Sequence, residues 1–279
     1  MSEKSILQIK NLSKNFKLRR SKLFEKPQEL HALSNISIDI EEGETLGIIG
    51  ESGCGKSTFG RCIVNLHRAS YGEIIYNGTN IVNKKGSKLK ELRKDIQMIF
   101  QDPYSSLDPR KTAGAAIEEP MKIHNISKGT DSINKVSSLM QEVGLDSQYI
   151  YRYPHEFSGG QRQRVGLARA LAMDPKILVA DEPVSALDVS VQAQVLELLA
   201  RLQDQLHLSI LFITHDLRVA AQVCDRIAVM KSGQIVEQGE SAHVFGKPSH
   251  PYTQALLAAV PGRHWHPEAA VQTKMAEVA

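Results

Sequence analysis

Residues 45–58 read Thr45-Leu46-Gly47-Ile48-Ile49-Gly50-Glu51-Ser52-Gly53-Cys54-Gly55-Lys56-Ser57-Thr58. A short apolar run, Thr45–Ile49, leads straight into a glycine-rich stretch, and a helix-compatible segment follows. The stretch from Gly50 to Thr58 fits the phosphate-loop pattern in the strand–loop–helix context that pattern requires. Glycines let backbone N–H groups converge on phosphate oxygens, and the helix start adds the positive end of its dipole. Lys56 can reach β- and γ-phosphates, while the Ser57 hydroxyl can ligate Mg²⁺. The plain alternative, an ordinary glycine-rich turn, is disfavoured by that context. The stretch predicts nucleotide binding.

Outward from this loop the pattern alternates strands with helices. Ile6–Ile9, Ser34–Ile40, Ile74–Tyr76 and Ile96–Phe100 read as strands, with a basic, irregular loop or extended hairpin over Leu18–Glu29. Thr112–Gly144 reads as helical, including Ile133–Val143. A helix over Gln161–Ala172 precedes the strand Ile177–Ala180, and a long helix follows over Val191–Leu206. Ile210–Thr214, Arg226–Met230 and Gln234–Gln238 are predicted strands, the last two joined by a Ser232-Gly233 turn. The alternation predicts an α/β core with a parallel sheet and an antiparallel edge.

Two further segments carry chemistry. Ile177-Leu178-Val179-Ala180-Asp181-Glu182 is an apolar strand ending in two carboxylates. Such a strand can hold Asp181 rigidly beside a metal, and Glu182, past its end, could orient or polarise an attacking water. Acidic residues that merely cap a helix are the alternative, which the phosphate loop weakens. Ser158-Gly159-Gly160-Gln161 opens a helix bearing Arg162, Arg164 and Arg169, a second candidate anion site. The first loop already wraps a triphosphate, so the economical reading assigns the second to a nucleotide held by another subunit.

Composition narrows the class. The 279 residues carry 34 Lys plus Arg and 31 Asp plus Glu, a net charge of +3, too weak a balance to argue for nucleic acid as partner. A hydrophobic fraction of 42% and a charged fraction of 23% exclude wholesale disorder. No apolar run reaches the roughly 18–20 residues of a membrane span. The start, Met1-Ser2-Glu3-Lys4-Ser5, lacks a signal peptide's apolar stretch. Cys54, Cys62 and Cys224 have no metal-ligand spacing and form no disulfide framework. A soluble, cytosolic chain is expected.

The phosphate loop, Gln101, Ser158-Gly159-Gly160-Gln161, Asp181-Glu182, Ser185-Ala186-Leu187-Asp188 and His215, in this order, resemble the ATP-binding cassette of membrane transporters. The resemblance spans residues 6 to about 240. Phe157 departs from the leucine common before the Ser-Gly-Gly-Gln, leaving the anion site untouched. By this resemblance Phe16 looks like the aromatic that stacks on adenine, with a buried strand-edge aromatic as the alternative and Phe24 as another platform. Gln101 looks like the residue touching Mg²⁺ and the attacking water. His215 looks like the switch histidine at the γ-phosphate, and Asp188 like a contact to the opposite subunit.

Phe100–Arg110 and His250–Pro261 are similar to the oligopeptide, dipeptide and nickel uptake group. Some members carry an iron–sulfur cluster on C-terminal cysteines; no cysteine follows Cys224, so no cluster is expected. His243, His250, His264 and His266 read as solvated surface. The resemblance implies a P-loop NTPase cassette with a mixed core sheet, an antiparallel edge sheet and a helical subdomain at about 102–172, within a cassette over 1–245. A short helix and mobile tail would fill 246–279. It implies ATP and Mg²⁺ as cofactors, and hydrolysis relying on Lys56, Gln101, Glu182 and His215. The implied partners are a second, related cassette, two transmembrane permease subunits and, indirectly, an extracytoplasmic solute-binding protein, at the cytoplasmic face of a bacterial membrane. Peptides are the expected cargo. Nickel, opines or other small solutes remain open, as do a soluble cassette ATPase acting on ribosomes or DNA and a subunit that binds ATP without turnover.

Overall fold

A computed structural model describes residues 5–17, 29–82, 84–102, 106–126 and 129–260. In chain order the elements begin with β1 (Ser5–Lys17), β2 (Glu29–Glu41), β3 (Thr45–Ile49), α1 (Lys56–Ile63), β4 (Tyr71–Tyr76) and β5 (Thr79–Asn80). Next come α2 (Gly86–Asp95), β6 (Ile96–Ile99), α3 (Ala113–His124), α4 (Thr130–Glu142) and α5 (Gly159–Leu171). The chain continues through β7 (Ile177–Asp181), α6 (Val189–Leu206), β8 (Ser209–Thr214) and α7 (Leu217–Val223). It closes with β9 (Arg226–Lys231), β10 (Gln234–Glu240), α8 (Ser241–Gly246) and α9 (Pro251–Ala258). Two units divide it: residues 1–84 with 211–279, and residues 85–210.

In the first unit an antiparallel sheet of order β2-β1-β4-β5 forms because its strands alternate apolar and polar residues. Ile9 faces Ile38 and Ile74, and Leu7 faces Ile40 and Tyr76, all of them buried. β1 and β2 run longer than the sequence pattern predicts. Asn11 and Asn35 take positive φ of 51° and 53°, and the register shifts near them. Those bulges break the alternation that would have revealed the full length. The second sheet of this unit holds β3 between β9 and β8, with β3 parallel to β9 and β10 antiparallel on the edge. All five residues of β3 are buried, as a central strand requires. Its entry is pinned by Thr45 N–H donating to Asp225 Oδ2 at 2.8 Å and by Arg226 Nη1 reaching both Glu44 oxygens at 3.1 Å.

In the second unit β6 pairs parallel with the fully buried β7. The helical stretch predicted over 112–144 is two helices. α3 is capped by Thr112 and ends at Asn125, which adopts the left-handed conformation at φ 55°, before α4 begins. α2 had no sequence signal, because Leu92 is its one buried residue and leaves no apolar period to read. Expectations for residues 18–28 (Phe24 included), 103–105 and 261–279, with His264, His266 and the tail, lie outside the described residues. No helix among the described residues is long and apolar enough to cross a membrane.

Candidate active site

In the first unit the buried β3 delivers the chain into Gly50–Gly55. Gly50 has φ 151°, and a Cβ there would stand 2.2 Å from Met230 O, so a side chain cannot be accommodated. From the other side Gly233, in the β9–β10 turn, donates its N–H to Cys54 O at 2.8 Å. Lys56 is buried, 4% exposed, and its ammonium donates to Gly50 O at 2.7 Å and Glu51 O at 2.9 Å. α1 starts at Gly55 without a side-chain cap, and its first backbone bond joins Phe59 N–H to Gly55 O. The amides ahead of that bond point out of the helix start, as an anion cradle needs. Glu51, Ser52 and Gly53 are exposed; Ser57 and Thr58 are half-buried in the first turn. Burial pushes the Cys54 thiol up, and Cys62 up to about 11, so both stay protonated.

Phe16 sits half-buried in β1, its ring edge-on to His67 at 5.4 Å and Lys14 Nζ 4.7 Å from its centroid. Burial, helped by Arg61 and Lys14, lowers the His67 pKa, which favours its neutral form. His215 is exposed immediately after β8, the strand neighbouring β3.

In the second unit Asp181 ends β7 wholly buried. Glu182 follows with φ 47°, an uncommon conformation for a residue with a side chain, which turns the chain sharply at the strand end. Its carboxylate accepts from the exposed Gln101 Nε2 at 2.9 Å. The acid expected as base and the amide expected to orient water therefore touch. Asp188 is exposed at the start of α6 and makes no side-chain cap bond.

Ser158 caps α5 in a reciprocal box. Its hydroxyl accepts from Gln161 N–H at 3.3 Å, and Gln161 Oε1 accepts from Ser158 N–H at 3.0 Å. Gly159 is half-buried and Gly160 fully buried, where a Cβ would stand 2.4 Å from Val191 Cγ1. The arginines of this helix do not join the helix start. Arg162 Nε donates to Pro154 O at 2.6 Å, Arg164 reaches Val143 O at 3.1 Å, and Arg169 reaches Ser106 O at 2.5 Å. They tie the unit together. Phe157 is buried against Tyr149, so its departure from leucine is a packing choice.

Sequence reasoning missed the supports. Tyr252 in α9 accepts through its hydroxyl from Glu51 N–H at 3.3 Å, 201 positions away in the chain. Nothing local marks such a contact. His250, read as surface, is half-buried and caps α9 by accepting from Tyr252 N–H at 3.1 Å; His243 is exposed.

Residues 33–185 match the ABC transporter family, and residues 236–277 match the oligopeptide/dipeptide transporter C-terminal region. The chain belongs to the ABC transporter family. It is 51% identical over 256 residues to the glutathione import ATP-binding protein GsiA of Salmonella paratyphi A, covering 92% of this chain and 41% of that protein. The counterpart from Pectobacterium atrosepticum is 50% identical over the same shares. The chain thus spans less than half the length of these curated relatives. The dimeric post-hydrolysis state of the ATP-binding cassette MJ0796, bound to ADP and Pi, matches with a TM-score of 0.75 at 30% identity, over 84% of this chain and 98% of that one. CbiO1 from Clostridium perfringens, part of the ABC transporter complex cbiONQ, matches with 0.74 at 28% identity, over 88% and 92%. The α/β cassette fold expected from the sequence is borne out.

Proposed function

We propose that this chain binds and hydrolyses ATP as the cassette subunit of an importer of peptides or peptide-like solutes. Residues 1–245 serve as the cassette, and 246–279 as its C-terminal appendage. Lys56 neutralises the β- and γ-phosphates while the loop amides surround them. A serine hydroxyl, an amide oxygen and a buried carboxylate are the oxygen donors Mg²⁺ prefers, so Ser57, Gln101 and Asp181 would hold it. The ion, when bound, supplies charge neutralisation on the phosphate oxygens. Phe16 packs against adenine. Glu182 takes a proton from water as the water oxygen bonds to the γ-phosphorus, and the bond to the β–γ bridging oxygen breaks, leaving ADP and phosphate. His215 contacts the γ-phosphate.

The observation that carries the hydrolytic reading is Glu182, a residue 9% exposed whose carboxylate accepts from Gln101 at 2.9 Å, in a chain that also holds a phosphate loop. A second cassette, related but not identical, completes the assembly. Ser158, Gly159, Gly160 and Gln161 then face the partner's nucleotide, with Asp188 at the same junction. Two permease subunits receive the closing motion at the cytoplasmic face of a bacterial membrane, and a solute-binding protein feeds them. The peptide assignment is supported by the match of residues 236–277 and by the glutathione-importing relatives.

Reconstitution with its permeases tests this reading. The parental complex should hydrolyse Mg·ATP and drive uptake of a labelled peptide. Glu182→Gln should keep ATP binding and lose turnover by about 10²- to 10⁴-fold, the usual yield of a positioned base. Turnover at the parental rate in that variant would remove Glu182 from the mechanism.

A further inference from the structure

The C-terminal helix reaches the phosphate loop through one hydroxyl. We infer that Tyr252 is a positioning residue for the loop, and that the segment 249–253 is a strap holding it there; this rests on the nucleotide-binding reading above. The strap is anchored at Glu237 in β10. One oxygen of that carboxylate accepts from Ser249 N–H at 2.7 Å and Ser249 Oγ at 2.8 Å, and the other from His250 N–H at 3.1 Å. Burial pushes the Glu237 carboxyl up, and the donors around it, Ser249 and His250 among them, outweigh that and hold it below the usual range. The anchor is therefore charged at neutral pH.

His250 then caps α9, and Pro251 occupies the first helical position with its φ fixed. Both constrain where Tyr252 points. The Tyr252 ring is buried with Lys231 Nζ 4.7 Å from its centroid, and its hydroxyl accepts from Glu51 N–H. Burial raises the phenol pKa, so it stays neutral.

The consequence follows from peptide geometry. Glu51 N–H and Gly50 C=O belong to one planar trans peptide group, so they point in opposite directions. Tyr252 holds the N–H end at 3.3 Å, and Lys56 holds the carbonyl end at 2.7 Å. A hydroxyl on α9 thereby sets the plane of the carbonyl that orients the Lys56 ammonium. Glu51 O, at 2.9 Å from the same ammonium, is one residue further along the loop. Without the hydroxyl the plane can rotate, and the lysine loses part of its alignment toward phosphate.

Tyr252→Phe in the full chain tests this, because it keeps the ring and deletes the hydroxyl. ATP and ADP affinity, read by fluorescent nucleotide titration, should fall about 2- to 10-fold, the effect of one neutral hydrogen bond. Hydrogen exchange at the Glu51 amide of the nucleotide-free chain should accelerate, with the melting temperature kept. Glu237→Gln, which weakens the strap at its far end and leaves the phenol intact, should shift both readouts the same way by less. Parental affinity in Tyr252→Phe overturns the inference, whether or not the amide exchanges faster; so does an unchanged exchange rate. A parental chain that binds no ATP would instead overturn the nucleotide-binding reading, while the exchange measurement still tests the strap.

Discussion

Helix α1 begins at Gly55 with no side chain capping it, whereas helix α5 begins at Ser158 with a reciprocal cap. In sequence the two starts look alike: each combines glycines with a hydroxyl residue ahead of or within a first turn. Their physics differs. At α1 the support comes from behind, from Met230 and Gly233, and the buried Lys56 ammonium is held on loop carbonyls. At α5 the N-cap and third-residue amides already have partners in Gln161 and Ser158, and the nearby arginines are turned inward. That start is self-sufficient. The Ser158 oxygen accepts within its own helix, and its proton remains to be offered outward. A phosphate bound in its own chain is expected at the first start, and a phosphate offered by a facing partner at the second.

The largest expected effect that sharpens this contrast is on Lys56. Replacing it with alanine removes a charge-assisted contact to phosphate worth about 1.5–3 kcal/mol or more, so ATP affinity should fall at least about 10-fold. The melting temperature of the nucleotide-free chain should also fall somewhat, since the buried Gly50 O loses its donor, whereas Glu51 O lies in the exposed part of the loop. Titration with fluorescent ATP, beside a melting curve, checks both. Undiminished affinity would mean that the loop does not hold the nucleotide and that the two starts do not differ as argued.

The same contrast shows what the sequence could reveal. The apolar run of β3, the glycine loop and the helix after it are local, and so is the serine-and-glycine start of the helix that follows Ser158. Each was legible because the residues that make it lie within a few positions. The supports were not. Gly233 read only as a turn, although it bonds to Cys54; Tyr252 read only as part of the His250–Pro261 resemblance, although it bonds to Glu51. The arginines of α5 read only as charges on the helix behind a candidate anion site, because charge is visible in sequence while its direction is not. α2 escaped because a helix with one buried side chain carries no period. Asn11 and Asn35 hid most of β1 and part of β2 by interrupting their alternation.

A second effect, smaller than the loss at Lys56, tests why the glycines are there. At Gly50 a Cβ would strike a backbone oxygen; at Gly160 it would strike the tip of Val191, a β-branched side chain on a helix with little freedom to turn away. Gly160→Ala should therefore cost about 1–3 kcal/mol of stability through overpacking. Adding Val191→Ala should recover most of that loss, which denaturant unfolding of the single and double variants would measure. Failure of the second substitution to help would show that Gly160 serves something other than the approach of α6 to α5.

The smallest effect decides whose phosphate Ser158 serves. Ser158→Ala removes the oxygen that accepts from Gln161 N–H, and loss of a serine cap typically costs about 1 kcal/mol. The isolated chain should therefore unfold at a slightly lower denaturant midpoint, with its ATP affinity unchanged if, as proposed, its own nucleotide binds at the α1 start. In the assembled complex, Ser158→Arg adds bulk and charge at the helix start, and hydrolysis should fail at the partner's phosphate loop while this chain still binds ATP. A Ser158 that touched nucleotide held by its own chain would give the opposite pattern: weaker ATP binding by the folded monomer, in both variants, before any partner is added. Titrating the monomer first separates the two, since the capping loss appears in unfolding alone and a ligand contact appears in affinity.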